Sequence, residues 1–154
     1  MLTLEDIQSF INELNLTGPG RVYIGKLDNQ QEKSIGVYSR KANGPPVMAL
    51  GGYTCSSYAI RRISLLVHWN RDKAESEDAA VRLYQKLLTQ SCLTVGTTFI
   101  SCLALQVPEP QDVGTDENGV YEYVIWVDFI YQKEQERKEV QDERESISGT
   151  QQSV

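Results

Sequence analysis

Gly119-Val-Tyr-Glu-Tyr-Val-Ile-Trp-Val-Asp-Phe-Ile-Tyr131 is the stretch on which the fold turns. Nearly every residue in it is aromatic or β-branched, and Asp116-Glu117-Asn118-Gly119 places a turn just before it. That combination predicts a strand. Alternation puts Tyr121, Tyr123, Ile125, Val127, Phe129 and Tyr131 on one face. Val120, Val124, Trp126 and Ile130 share the other with Glu122 and Asp128. Two largely apolar faces predict a central strand covered on both sides. A helix is expected on one side, and a neighbouring subunit is a candidate for the other.

Outward from this strand, Thr97–Val107 alternates again, with Phe99, Ser101, Leu103, Leu105 and Val107 set against Ile100, Cys102 and Ala104, until Pro108 and Pro110 end it. Residues 108–119 read as a polar, acidic loop, so the last two strands are expected to form an antiparallel pair. Upstream, Ala80, Leu83, Tyr84, Leu87 and Leu88 form the apolar stripe of a helix over 74–89, with acids early and Lys86 late, as the helix dipole favours. Residues 53–69 read as a long strand carrying Arg61, Ile63, Leu65, Val67 and Trp69 on one face. Residues 21–26 and 34–39 read as a short hairpin, with Gly25 and Gly36 marking a bulge or a close approach. At the N-terminus, Thr3 caps a helix over 4–14 whose stripe is Leu4, Ile7, Phe10, Ile11 and Leu14; Gly18-Pro19-Gly20 stops it. The order helix, three strands, helix, two strands predicts an α+β domain over 1–131: one mostly antiparallel sheet of about five strands with two helices on one face. From Gln132 to Val154 the chain is charged and nearly free of large apolar residues, which predicts a frayed or disordered tail over 132–154.

The segment 40–52 breaks the pattern. Its prolines and glycines exclude a helix or a central strand. Yet Pro45, Pro46, Val47, Met48, Ala49 and Leu50 are a run of apolar side chains in a loop, where polar ones are the rule. Either the loop folds over its own core or it docks on another molecule.

Chemistry is hard to place. The chain has 154 residues and a formal net charge of −6, and a pI near 4.8. It has no basic stripe of the kind that binds a nucleic-acid backbone. There is no apolar run of the roughly 20 residues that span a bilayer, and no basic region before an apolar one at the N-terminus, so the expected compartment is the cytoplasm. Cys55, Cys92 and Cys102 have no Cys-x-x-Cys spacing, which disfavours a zinc site or a disulfide framework and suggests buried, inert thiols. His68 is the single histidine and sits in a strand pattern, expected to be partly buried and not catalytic. The glycine pairs lack the surroundings of a phosphate loop, and Asp112, Asp116, Glu117 and Asn118 lack EF-hand spacing. One of Arg61, Arg62 and Arg71 is a candidate partner for Asp128 or Glu122. No catalytic, cofactor or metal residue is assigned. Surplus apolar surface is what stands out, and it argues for a homo-oligomer.

Taken in order, several pieces carry a resemblance: Val22-Tyr23-Ile24-Gly25-Lys26-Leu27, the Pro45–Gly52 loop, Val67-His68-Trp69, the helix with Leu83-Tyr84 and Leu87, and Asp116-Glu117-Asn118-Gly119 running into Tyr121-Glu122-Tyr123. Over roughly residues 2–131 the chain resembles the minor capsid or tail terminator family of long-tailed bacteriophages. The resemblance implies a structural virion protein without catalysis or cofactor. It would be assembled in the host cytoplasm into a ring, typically of six subunits, at the head-proximal end of the tail. Its partners would be copies of itself, the tail tube protein and the head connector protein. DNA would pass through the lumen without specific binding, and no membrane is involved. Subunit contacts are expected at Pro45, Pro46, Val47, Met48, Leu50, Trp69 and Trp126. The competing reading is a small-ligand or protein binding α+β module.

Overall fold

The structure is a computed structural model, and it describes residues 1–25 and 31–133. Expectations for the end of the first strand and for the tail beyond Lys133 lie outside the described residues.

Helix α1 spans Leu4–Glu13. Thr3 Oγ1 accepts the Asp6 N–H at 3.2 Å, and Asp6 Oδ2 accepts the Thr3 N–H at 3.0 Å, a reciprocal capping box. Ile7, Phe10 and Ile11 are its buried stripe. Helix α2 spans Lys73–Leu88 and starts at Asp72, whose Oδ1 accepts from Ala74 N and Glu75 N. It buries Ser76, Ala79, Ala80, Leu83 and Leu87. Buried Ser76 is satisfied by Asn70 and the Asp72 carbonyl, as a hydroxyl under a helix must be.

Seven strands make one sheet: β1 (Val22–Ile24), β2 (Ser34–Ser39), β3 (Tyr58–His68), β4 (Ser91–Val95), β5 (Thr98–Leu105), β6 (Gln111–Thr115) and β7 (Tyr121–Gln132). The order across the sheet is β1-β2-β3-β7-β5-β4, with β6 also pairing β7. The organising stretch is therefore a central strand. It runs antiparallel to β3 from Tyr58↔Gln132 to His68↔Glu122. On its other side its second half pairs β5, and its first residues pair β6.

Register decides what lies where. Residues opposite one another share a face, so Ile63↔Val127, Leu65↔Ile125 and Val67↔Tyr123 extend the odd face of β7 across β3. Ile35↔Val67 and Val37↔Leu65 carry it on to β2. Both helices cover this face: α1 packs on β1, β2 and β4, and α2 on β7, β3 and β5. Phe10 meets Phe129 edge-on, with ring centroids 5.9 Å apart and planes at 89°. Burial pushes the Tyr131 phenol above its ordinary pKa, with the Tyr53 phenol adding to the rise and Arg61 opposing it.

The α+β class and the two helices on one face stand, but several details differ from the expectation. Among the described residues the sheet has seven strands, where about five were expected. β6 lies inside the presumed acidic loop; all five of its residues are exposed, so no apolar alternation announces it. β4 is a short edge strand after α2, again mostly exposed. The presumed N-terminal hairpin is instead a parallel pair, Val22↔Ile35 to Ile24↔Val37. Parallel strands usually need a long crossover, but β1 is only three residues, ~10 Å long, so a short connection suffices. Gly25, at φ 73°, turns the chain away at the end of β1. The thiols are not buried: Cys55 and Cys92 are exposed and Cys102 is half-buried. Among the described residues, the helices cover β7 on its odd face, the cover expected from within the chain.

Candidate assembly surface

Among the described residues no helix lies on the even face of the sheet. Across it lie Tyr38 of β2, Ile60, Arg62, Ser64 and Leu66 of β3, Val124, Trp126 and Ile130 of β7, and Cys102 and Ala104 of β5, most of them half-buried. Trp126 is 43 % exposed at its centre. An uncovered sheet face this apolar is uncommon on a monomer surface.

Arg40 organises the middle of this face. Its guanidinium pairs with the buried carboxylate of Asp128 and lies over the Trp126 ring, 5.3 Å from the centroid. Arg62 stands opposite Asp128 in register, yet the ion pair goes to Arg40, and Glu122 faces His68 instead. Arg61, Arg62 and Arg71, the candidates clustered near the long strand, form no ion pair with Asp128 or Glu122 among the described residues. The actual partner comes from the start of the loop after β2, 88 residues from Asp128. Asp128→Ala should lower stability by about 2 kcal/mol, because it strands a partly buried guanidinium. Chemical denaturation measures this, and Asp128→Asn should recover part of it.

The loop 40–57 is ordered by its own backbone. The Gly52 N–H donates to the Ala49 carbonyl at 2.9 Å, closing a tight turn. Ser56 Oγ accepts the Ala49 N–H at 2.7 Å and donates to the Gly52 carbonyl at 3.2 Å. A 3-10 turn at Tyr53–Cys55 follows. A Cβ on Gly51 would lie 2.6 Å from Cys55 Sγ, so only glycine fits there. Lys133 pins the base: its N–H donates to the Ser57 carbonyl at 3.1 Å, and its Nζ sits 3.4 Å from the Tyr53 ring centroid. The result is a shaped prong. Leu50 at its tip is fully exposed, and Val47, Met48, Tyr53 and Tyr58 are exposed beside it. Beneath its base, a cleft of about 560 Å³ opens between the loop and the strand ends, lined by residues that include Pro46, Val47, Ile60, Arg62, Tyr131 and Lys133.

The residues singled out from sequence separate here. Pro45, Pro46, Val47, Met48 and Leu50 are all exposed on the prong. Trp126 lies on the open face. Trp69 is 6 % exposed in the core cluster and does not belong to this surface. Tyr58, Ile60, Leu66 and Val124 were not singled out; the β3–β7 register, which sequence alone does not give, is what places them beside Trp126.

His68 is 1 % exposed, more deeply buried than expected. Its Nδ1 lies 3.4 Å from Glu122 and its Nε2 3.7 Å from Asp116. No nucleophilic side chain is placed against either nitrogen by any contact among the described residues. Among the described residues no group of histidine, cysteine and carboxylate side chains has the geometry of a metal site, and no helix is long and apolar enough to cross a membrane.

Fold and surface together define a helix-on-sheet α+β domain with, among the described residues, one apolar sheet face free of helices and a preformed apolar loop at its rim. A family profile described as bacteriophage tail terminator protein matches residues 10–133, most of the chain and nearly all of its ordered core. The chain belongs to the bacteriophage tail terminator protein family, whose members are structural proteins of the virion tail. A search of curated proteins found no match.

Proposed function

We propose that this protein assembles into a ring, of about six copies, that caps the phage tail tube, ends its polymerisation and presents a docking surface to the head connector. The observation that supports the reading most is that one chain carries two different exposed apolar surfaces, the Leu50 prong and the Trp126 face. A closed ring needs that arrangement: its contacts are heterologous, so every subunit must offer two unlike, complementary patches. Surplus apolar area on a monomer becomes buried area in the ring. The net charge of −6 suits a lumen that DNA crosses without adhering. No catalytic step or cofactor enters this role.

The test is to purify the protein, measure its mass by sedimentation across concentration, and image it by electron microscopy. It is then added to polymerising tail tube protein. Discrete rings and tubes of arrested length are the expected result. A strict monomer that neither binds tube ends nor changes tube length overturns the reading.

A further inference from the structure

We propose that copies meet head to tail, the cleft at the C-terminal end of β7 receiving the exposed β6 edge of the next copy. The inference rests on the ring reading and adds which surfaces touch.

Among the described residues the cleft is lined by Arg62 and Lys133 and by no carboxylate, and its apolar lining includes Val47, Ile60 and Tyr131. Arg40 and Lys41 lead into the loop above it. Among the described residues, Arg62, Lys41 and Lys133 give this end of the sheet a basic character in a chain that is acidic overall. The other end of β7 is the reverse. β6 carries Val113, 55 % exposed, and exposed Glu109, Asp112 and Glu117 surround it. Among the described residues, Lys73, 3.7 Å from Asp112, is the lysine or arginine that offsets that charge. β6 pairs β7 along one edge and, among the described residues, no strand along the other. An apolar side chain flanked by carboxylates on an unpaired edge matches an apolar cleft flanked by cations.

The two halves cannot meet within one chain. Asp112 sits opposite Tyr123, and the cleft reaches Gln132, nine residues along the same extended strand and therefore roughly 30 Å away. An antiparallel two-fold dimer would match cleft to edge twice and stop at two copies, whereas a head-to-tail contact leaves a cleft and a β6 edge free for further copies. The partner that fits this chemistry is a second copy, and a head-to-tail contact, as the ring reading requires, closes into a ring or runs on as a filament according to its rotation.

Two charge-reversed variants test it. Arg62→Glu/Lys133→Glu reverses the cleft, and Glu109→Lys/Val113→Lys reverses the β6 edge. Each alone should weaken self-association at least tenfold in sedimentation, with circular dichroism melting held within a few degrees. Mixed in equal amounts, they should restore assembly, since the acidic edge of the first meets the basic cleft of the second and conversely. Wild-type assembly should loosen as salt rises. Variants that each assemble like wild type, or a mixture that stays dissociated while both members are folded, overturn the contact. Wild-type rings that survive both reversals leave the ring reading standing and remove only this contact. Filaments that respond to the reversals as described support the contact and count against a ring. A wild type monomeric at every concentration and inert toward tubes overturns both.

Discussion

Phe129→Ala will cost about 3–5 kcal/mol of folding stability, the largest single-residue loss expected in this chain. Phe129 is fully buried. It lies opposite Arg61 on β3 and Leu103 on β5, so it stands in the middle of the sheet's helix-covered face. Phe10 of α1 packs against it edge-on, and an aromatic pair of this geometry adds roughly 0.5–1.5 kcal/mol beyond area burial. Removing the ring opens a cavity bounded by a central strand and a helix, neither free to collapse inward. Small domains have only about 5–15 kcal/mol in total. Urea denaturation should show a fall in midpoint with an unchanged slope. A loss below about 1 kcal/mol would mean that the helix face is not the main core.

Trp126→Asp should do the opposite: leave the fold and remove the assembly. Trp126 lies on the same strand, three residues away, but on the uncovered face and nearly half exposed. Its one strong internal contact is the Arg40 guanidinium above the ring, worth roughly 0.5–1 kcal/mol at such a site. Melting should therefore shift by only a few degrees. If the face is a subunit contact, a tryptophan at its centre is the residue type that dominates such interfaces, and its loss weakens each contact by about 2–4 kcal/mol. That is roughly 30- to 1000-fold in dissociation constant. Met48→Asp on the prong should follow the same pattern with a smaller effect. Equal losses of melting temperature and of oligomer in either variant would mean that these side chains serve the monomer's own packing. The contrast between Phe129 and Trp126 is the more informative result, because the two lie on opposite faces of one strand and differ only in what covers them.

Much of this was legible in the chain itself. The Thr3 cap and the helical stripes set α1 and α2 to within a residue or two, while the Asp72 cap of α2 emerged only in the structure. The odd and even faces of β7 follow from strict alternation, and the Pro45–Leu50 run stands out as apolar where loops are polar. These are local properties: helix and strand periods, caps and turns depend on neighbours a few residues away.

What escaped was non-local. Strand direction in β1 was invisible because either direction puts Val22 on the core side. β6 was invisible because an exposed edge strand needs no apolar pattern; it exists because β7 offers it a partner. Arg40 could not be matched to Asp128 across 88 residues, since an ion pair is chosen by register and loop path, and several arginines were equally eligible. Trp69 and Trp126 look alike in sequence, yet Val67-His68-Trp69 ends under the helices while Trp126 faces outward. Sequence alone thus determined the elements, their apolar faces and the odd character of one loop, because those are set by short-range sterics and hydropathy. Only the tertiary structure decided which face is left bare and which charges gather at each end of β7, because both depend on how distant strands are registered against one another.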